Sequence, residues 1–346
     1  MPILLNRVDK ETWNRFLLHQ TYSQLHHSWE WGEFIASFHH RELLRFSVHE
    51  SGGAVLGVCS ICIEPLLWFG KRADSIPVWA VSGPILQDGL DPETKKALYE
   101  ELVDHVENEL KERKVLHSEI RIWDPFLESA CLEAWLRAGY SVKNVQSLMR
   151  SVPLNETEVM STYDKSFSKE VRQGHRRGAR VEVNTQCDCD ELYRLHATTM
   201  ERAGSSPRYN PDEISYVLGW NNSLRDVYLC KYEGRTIAFA ISLRFNRVTI
   251  GWIAGFDRKY AGIRPMNLIF DELIRNSARQ GVQTIDFGGE PTAGLSHFKR
   301  SIGANPVLCY YLNKTYCNNL YLSFALFLTA KITQFKCLRL RKSTQL

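Results

Sequence analysis

The chain has 346 residues, of which 44% are hydrophobic and 24% are charged, a balance typical of folded domains. This length favours about two domains. No apolar run reaches the roughly 18 residues of a membrane span, and the N-terminus turns polar too early for a signal peptide, so we expect a cytoplasmic protein.

The first half reads as a hairpin, a strand, a long helix and a closing strand. A glycine-containing turn at residues 51–53 separates two runs rich in β-forming residues, which is typical of a hairpin. Asp91 is a natural N-cap, and Pro92 suits the first turn of the helix that follows. The predicted elements are strands at 41–50, 54–66 and 75–85, a helix from 92 to about 113, and a strand at 117–125.

The second half repeats this order. Its hairpin turns at residues 233–235, and Gly281 marks the end of its helix. The predicted elements are strands at 226–232, 236–245 and 248–256, a helix at 263–280, and a strand at 283–287. The repetition predicts an α+β protein with two copies of one unit, each a mixed central sheet flanked by helices. We place the domains at 1–152 and 153–315, followed by a basic, apolar tail at 316–346.

The cysteines argue for a reducing compartment and against a metal centre. All nine are scattered, and their number is odd. Cys59 and Cys62 form a CxxC pair, but this pair lies in an apolar run that predicts a buried strand. No second pair follows at zinc-site spacing, so we expect no metal.

Three segments, at 27–34, 166–183 and 284–303, carry a family resemblance. The last, TIDFGGEPTAGLSHFKRSIG, is similar to the closing motif of the Fem aminoacyltransferases, which build peptidoglycan bridges. The order of elements resembles the GCN5-related N-acetyltransferase (GNAT) fold, and two such units in tandem resemble both the Fem proteins and the BioF2-like acetyltransferases. The resemblance implies acyl transfer to an amine in the cleft of the second copy.

Charge at two equivalent helix starts also favours the second copy. A diphosphate needs backbone N–H groups at a helix N-terminus and nearby cations. The first copy places Asp88, Asp91 and Glu93 there, which would repel a phosphate. The second copy offers a basic, glycine-containing loop, and we predict that acyl-CoA binds there as a co-substrate, with no tightly bound cofactor. The predicted donor-site residues are Arg258, Lys259, Gly262, Ile263 and Arg264.

The loop after the closing strand supplies the candidate catalytic residues, because this strand end borders the cleft in GNAT folds. Asp286, Glu290 and His297 are candidates for accepting a proton from an attacking amine. Each has a structural alternative: a turn cap, an exposed acid or a packing contact. Phe298 and Lys299 match a Phe-Lys pair of the Fem pattern. The match implies that Lys299, at the cleft mouth, stabilises charge on the reacting carbonyl; its alternative is a solvated surface lysine.

Other residues are candidates for substrate binding. Trp29 and Trp31 resemble the acceptor-side motif of the Fem family, although Glu33 and its neighbours replace the lysine that meets phosphate in enzymes using nucleotide-linked muropeptides. Core packing is the alternative for both tryptophans. Arg172 and Arg176 belong to a basic row on one helical face, which suits the phosphates of a ligand or of tRNA, or a solvated surface. Phe298 completes the substrate-binding set. Nothing indicates duplex DNA.

The C-terminal region is strongly basic. Residues 291–346 contain eight Lys and Arg residues and neither Asp nor Glu. The apolar run at 319–332 is too short to span a membrane. It either packs on the second domain or lies at the inner face of the cell membrane beside anionic lipid.

These observations lead to one main hypothesis and two alternatives. The main hypothesis is transfer of an acyl group from acyl-CoA to an amine acceptor, an amino-sugar of the cell envelope or of a polysaccharide precursor. The first alternative is transfer from aminoacyl-tRNA to a muropeptide-like acceptor. The second is a non-catalytic binding protein that has kept the double fold.

Overall fold

The computed structural model describes residues 2–39, 41–75, 82–123, 128–289 and 292–329. The chain forms two compact units. Unit 1 comprises Met1–Tyr22, Trp29–Val145 and Cys309–Leu346; unit 2 comprises Ser23–Ser28 and Gln146–Leu308. The sequence did not indicate that short segments belong to the unit built mainly from the other half. Residues 316–329, the described part of the tail, are grouped with unit 1, whereas the sequence prediction treated the tail as a separate segment.

The elements are as follows. The strands are β1 Ile3–Leu5, β2 Glu42–His49, β3 Val55–Pro65, β4 Lys71–Asp74, β5 Ile85–Leu86, β6 Val115–Trp123, β7 Ser141–Ser151, β8 Arg180–Val183, β9 Arg225–Tyr232, β10 Arg235–Phe245, β11 Val248–Phe256, β12 Thr284–Gly289 and β13 Asn305–Thr315. The helices are α1 Lys10–Leu18, α2 Trp29–His39, α3 Pro92–Glu112, α4 Ser129–Arg137, α5 Lys165–Arg176, α6 Cys189–Arg202, α7 Pro211–Leu218, α8 Pro265–Arg279 and α9 Ala293–Ser301. A further helix covers residues 319–329.

Unit 1 is built on a mixed sheet with strand order β1-β2-β3-β4-β6-β13. Strands β4 and β6 are parallel, whereas β2 and β3 form the predicted antiparallel hairpin. Helix α3 buries Leu98, Leu102, Val106 and Leu110, the predicted apolar stripe, against the sheet. Most of the strand predicted at 75–85 lies outside the described residues.

Unit 2 has the corresponding strand order β7-β12-β11-β10-β9-β8. Strands β11 and β12 are parallel, and the β9–β10 hairpin is antiparallel, as predicted. Helix α8 buries Leu268, Ile269, Leu273 and Ile274. The repeated order confirms the predicted α+β class, with a mixed sheet and flanking helices in both units.

The CxxC cysteines are core residues. Cys59 and Cys62 are both fully buried in β3, and this burial raises the pKa of each thiol to about 12, so neither is a thiolate at neutral pH. Across the described part of the chain, no group of three His, Cys, Asp or Glu side chains could hold a metal ion. Within the same residues, no helix has both the length and the apolar character needed to cross a bilayer.

Candidate functional site

The parallel strands β11 and β12 separate soon after they pair. Their register covers only Val248 to Ile250 opposite Thr284 to Asp286, although β11 continues to Phe256 and β12 to Gly289. A bulge interrupts the pairing of β10 with β11 between Ile241 and Ser242. Because a bulge bends a strand and increases its twist, it is well placed to direct β11 away from β12. The two strands therefore open a wedge at their carboxyl ends.

A cavity of about 590 Å³ lies along β11 and the start of α8. This volume is within the range of small-molecule sites, and most of the lining is apolar. Phe270 and Phe298 pack with 5.1 Å between ring centroids and form part of the wall. The apolar lining includes Phe256, Met266, Phe270, Leu295 and Phe298, and the polar lining includes Glu170, Thr199, Arg264 and Asn267. The cavity suits an elongated, largely apolar ligand with one polar end.

The start of α8 forms the polar end of this cavity. Arg264 precedes Pro265 in a left-handed conformation, with φ 63° and ψ 42°, and its side chain does not cap the helix. This conformation ends the short 3-10 turn Arg258–Ile263, so α8 begins two residues later than its predicted start at 263. Arg264 lines the cavity as predicted. The other predicted donor-site residues, Arg258, Lys259, Gly262 and Ile263, lie in the preceding turn and not in the cavity wall.

A carboxylate that the sequence did not reveal also lies at this helix start. Glu170 of α5 is 3.5 Å from Arg264 and accepts a hydrogen bond from the Asn267 amide at 2.8 Å. The two helices approach closely at Gly174, where an added Cβ would lie 2.9 Å from the Leu268 side chain. The absence of a side chain at Gly174 is what brings Glu170 to Arg264. The negative charge of Glu170 reduces the attraction of this site for a phosphate.

A buried polar group occupies the carboxyl end of β12. Asp286 is buried, and its Oδ1 accepts hydrogen bonds from the Gly288 N–H at 2.7 Å and from the Ser147 hydroxyl at 3.1 Å. Burial raises the pKa of Asp286 to about 6, against the opposing effects of these two hydrogen bonds and of the positive charge of Lys299. A carboxyl group with this pKa changes its protonation state near neutral pH.

Lys299 is placed differently from the sequence prediction. Its side chain is only 6% exposed, and its ammonium donates to the carbonyl oxygens of Gly289 at 2.7 Å and Gly288 at 3.3 Å. It lines a second, smaller cavity of about 120 Å³, which shares Ala254 and Phe270 with the larger one. Lys299 is therefore neither a solvated lysine nor a free cation at the cleft mouth. It is a buried cation that fixes the end of β12.

The other catalytic candidates are less informative. Glu290 lies outside the described residues, directly after β12. His297 is exposed on α9 and lines neither of these cavities. Leu295 and Phe298 of the same helix face the larger cavity, and His297 lies about 100° around the helix from Phe298, since each residue of an α-helix turns by that angle.

The predicted acceptor residues lie in two different units. Trp31 is 1% exposed and packs on Phe34 with 5.2 Å between ring centroids, so it belongs to the core of unit 1 and its prediction as a substrate contact is corrected. Trp29 is half-buried, with the Arg45 guanidinium 3.5 Å from its ring centroid. Arg172 and Arg176 are exposed on α5 of unit 2 and do not line the cavity.

The comparisons define the class of this fold. Residues 164–300 match the family model of the acetyltransferase (GNAT) domain. No curated protein matches the chain. The structure of FemX is similar, with a TM-score of 0.73, 14% identity, and coverage of 90% of this chain and 97% of that one.

Two further structures extend the likeness. L-PGS from Bacillus licheniformis has a TM-score of 0.60 and 12% identity, covering 93% of this chain and 96% of that one. A tandem GNAT protein from the clavulanic acid biosynthesis pathway has a TM-score of 0.50 and 10% identity, covering 92% and 100%. The chain thus has the fold of FemX and of the tandem GNAT protein, and residues 164–300 match the GNAT domain model, so the resemblance read from the sequence is confirmed at the level of the fold.

Proposed function

We propose that the protein is an N-acyltransferase whose cleft lies in unit 2. The observation that carries this proposal is the separation of β11 from β12, beside which lie a ligand-sized cavity along β11 and the start of α8 and a smaller adjoining cavity lined by Phe287 and Lys299. In GNAT folds the third strand and the helix after it hold the pantetheine and diphosphate of acyl-CoA. The corresponding elements here are β11 and α8, which form the walls of the larger cavity.

Acyl-CoA is the donor that we favour. The apolar wall of Phe256, Phe270 and Phe298 suits a pantetheine arm and an acyl chain, and Arg264 at the helix start would meet phosphate oxygens. Binding of the diphosphate would require Arg264 to exchange its contact with Glu170 for the ligand.

The chemistry would follow from donor and acceptor being held together. The amine nitrogen of the acceptor attacks the thioester carbonyl, the C–S bond breaks, and an amide forms. The proton lost by the amine passes to a base, and the departing sulfur takes up a proton to leave as a thiol. Asp286 is our candidate base because its pKa of about 6 leaves it mostly ionised at neutral pH and still able to accept a proton, although it is buried and, like His297, lines neither cavity. Glu290 stays a second candidate.

The acceptor that we propose is an amino-sugar of the cell envelope or a precursor of it. The proximity of the two substrates in one cleft would supply much of the rate. The fold and the match to the GNAT domain model support acyl transfer. The sugar acceptor is an expectation from the family resemblance.

One observation favours aminoacyl-tRNA as an alternative donor with a muropeptide-like acceptor. Glu170 places a negative charge where a CoA diphosphate would bind, and Arg172 and Arg176 offer an exposed basic row on the same helix. A donor whose phosphates lie along α5 rather than at the start of α8 would suit this charge distribution.

A thermal-shift screen would separate these donors. A ligand that binds the native protein raises its melting temperature by mass action. We expect acetyl-CoA or a longer acyl-CoA to raise the melting temperature, and Arg264→Glu to abolish the shift. Arg235→Glu, at an exposed position at the start of β10, is the control. A shift with aminoacyl-tRNA alone would support the alternative. If no donor changes the melting temperature, the result would favour a non-catalytic binding protein.

A further inference from the structure

The helix over residues 319–329 presents large apolar side chains to solvent. Leu320, Phe324 and Phe327 are 81%, 54% and 59% exposed, and spacings of four and three residues put them on one helical face. The opposite face, with Leu322 and Ala325, is buried in unit 1. A helix that is apolar on both faces is normally covered on both, whereas the outer face of this one is largely exposed to solvent.

The turn between β3 and β4 extends this apolar face. Trp68 is 74% exposed at the tip of the turn. The turn is fixed by hydrogen bonds from the Leu66 N–H to the Gly70 carbonyl at 2.7 Å and from the Phe69 N–H to the Leu66 carbonyl at 3.0 Å. The tryptophan is therefore displayed by an ordered turn.

Aromatic contacts join the turn to the helix. The ring of Phe69 lies 6.1 Å from that of Tyr321 and 5.8 Å from that of Phe324, both edge-on, and the Tyr321 hydroxyl donates to the Phe69 carbonyl at 2.9 Å. Two segments distant in sequence thus form one surface. We call it the aromatic face, and it consists of Trp68, Phe69, Leu320, Tyr321, Phe324 and Phe327.

Unit 1 holds the helix in place from its N-terminal side. Strand β13, which leads into the helix, pairs with β6 as far as Thr315 opposite His117. The Tyr316 hydroxyl donates to the buried Glu107 at 2.5 Å, and Lys314 also pairs with Glu107. The aromatic face is consequently part of the folded unit and needs no rearrangement to be presented.

The charge of the following sequence and of the residues beside the turn indicates what covers this face. In the sequence after the helix, residues 330–346 contain five Lys and Arg residues and no Asp or Glu. Beside the turn, Lys71 begins β4 and pairs with Glu42 at 3.6 Å, and exposed Lys114 precedes Val115, the partner of Lys71 in β6. Exposed Trp and Phe with adjacent cations are the combination that binds the interface of an anionic bilayer, where aromatic rings sit at headgroup level and Lys and Arg meet phosphate.

We propose that the aromatic face docks unit 1 onto an anionic phospholipid bilayer. Trp68, Leu320, Phe324 and Phe327 enter the headgroup region, and the basic sequence that follows the helix adds attraction to the anionic lipid. The helix lies on the membrane and does not cross it. This surface is in unit 1, and its role does not depend on acyl transfer in unit 2.

Vesicle co-sedimentation of the full chain tests the proposal. We expect binding to phosphatidylcholine vesicles that contain phosphatidylglycerol, weaker binding to pure phosphatidylcholine, and loss of binding at high salt because salt screens the headgroup attraction. The double variant Trp68→Ser with Phe324→Ser should lower the partition by about tenfold or more, since both side chains lose their apolar contact with lipid. Leu154→Ser removes a 97% exposed leucine outside the aromatic face and is the matched control.

Retained folding of the variants is checked by circular dichroism, and light scattering measures the size of the wild type. Binding that is equal for the double variant and the wild type would overturn the proposal. So would a wild-type dimer that the double variant abolishes, together with no vesicle binding, because the aromatic face would then cover a second copy. A double variant that unfolds is replaced by Trp68→Ser alone, which changes only a solvent-exposed tip and must still weaken binding.

Discussion

The helices that follow the third strand of each repeat begin in opposite ways. Helix α3 of unit 1 starts at its own acidic cap, where the Asp91 carboxylate accepts a hydrogen bond from the Thr94 N–H at 2.9 Å. Helix α8 of unit 2 starts after Arg264, which has a left-handed backbone and provides no side-chain cap. In unit 1 a carboxylate of the protein fills the place that a bound anion would take. In unit 2 no side chain caps the helix start, and our proposal assigns this place to a phosphate of the donor.

The difference is the basis for proposing a donor site in unit 2 and none in unit 1. A helix start that satisfies its own N–H groups is stable without a ligand, whereas a start without a side-chain cap is less stable by itself and can bind an anion. Glu170 of the neighbouring helix α5 partly neutralises this positive charge, because its carboxylate lies beside Arg264 and the N-terminal end of α8.

The largest effect should come from Asp286. Replacing it as Asp286→Asn should lower turnover by about a hundredfold or more at neutral pH, since the candidate base is lost. Folding should survive, because an amide oxygen can still accept from Ser147 and Gly288. The pH dependence of turnover with saturating donor is the measurement. Wild-type turnover should fall below about pH 6, where the carboxyl becomes protonated; a variant with the wild-type rate and profile would transfer the role to Glu290.

The same carboxyl group predicts how stability depends on pH. Its pKa is raised from 3.8 unfolded to about 6 folded, so the folded state holds the proton more tightly. The contribution of Asp286 to stability is therefore largest below pH 3.8 and is lost as pH rises towards about 6. Asp286→Asn should lack this pH dependence, so the difference in unfolding free energy between wild type and variant should change between pH 3.8 and about 6.

Lys299 should have the next largest effect. Lys299→Met removes a buried cation that lowers the pKa of Asp286 and donates to the carbonyls of Gly288 and Gly289. We expect turnover to fall by about tenfold to a hundredfold, the acid limb of the pH profile to move upward, and the melting temperature to decrease. Lys143→Met, at an exposed position of β7, is the control. An unchanged pH profile with only a lower melting temperature would leave Lys299 a purely structural role.

A variant of Glu170 tests whether acyl-CoA is the donor. Glu170→Gln removes a negative charge from the start of α8 and keeps an amide oxygen that can accept from Asn267. If the donor is acyl-CoA, its affinity should increase by roughly threefold to tenfold, in line with the effect of one charge near a helix end. Calorimetric titration measures this change. A donor affinity that stays the same would place the diphosphate elsewhere.

The smallest effect is expected at the other helix start. Asp91→Ala removes the cap of α3 and should lower the melting temperature by about 2 °C without changing donor affinity. Hydrogen bonds from Thr94 lower the pKa of Asp91, so this stabilisation is present above pH 3.8 and is lost as pH falls further. Weaker donor binding by this variant would contradict the contrast between the two units.

Local sequence patterns predicted much of this fold and less of its site. The Asp91 cap, the buried stripe of α3 and both hairpins depend on neighbouring residues, and all are present. Glu170 could not be found this way, because its contact with Arg264 depends on the close packing that Gly174 allows. The burial of Lys299 likewise depends on which face α9 turns towards the end of β12.

Local sequence patterns also could not predict which segments belong to which unit. Residues 23–28 and 309–315 belong to the unit opposite to the one that sequence order suggests, since strand pairing over long separations leaves no local pattern. Ser147, which donates to Asp286 from β7, is a consequence of the same long-range pairing.

Calorimetric titration of acyl-CoA into the wild type, Arg264→Glu and Asp91→Asn directly tests the assignment of the donor site to unit 2. We expect Arg264→Glu to bind about tenfold more weakly or worse, because a carboxylate replaces a cation at the start of α8, and Asp91→Asn to bind like the wild type. Equal loss of affinity in both variants, or a loss in Asp91→Asn alone, would contradict the assignment of the donor site to unit 2.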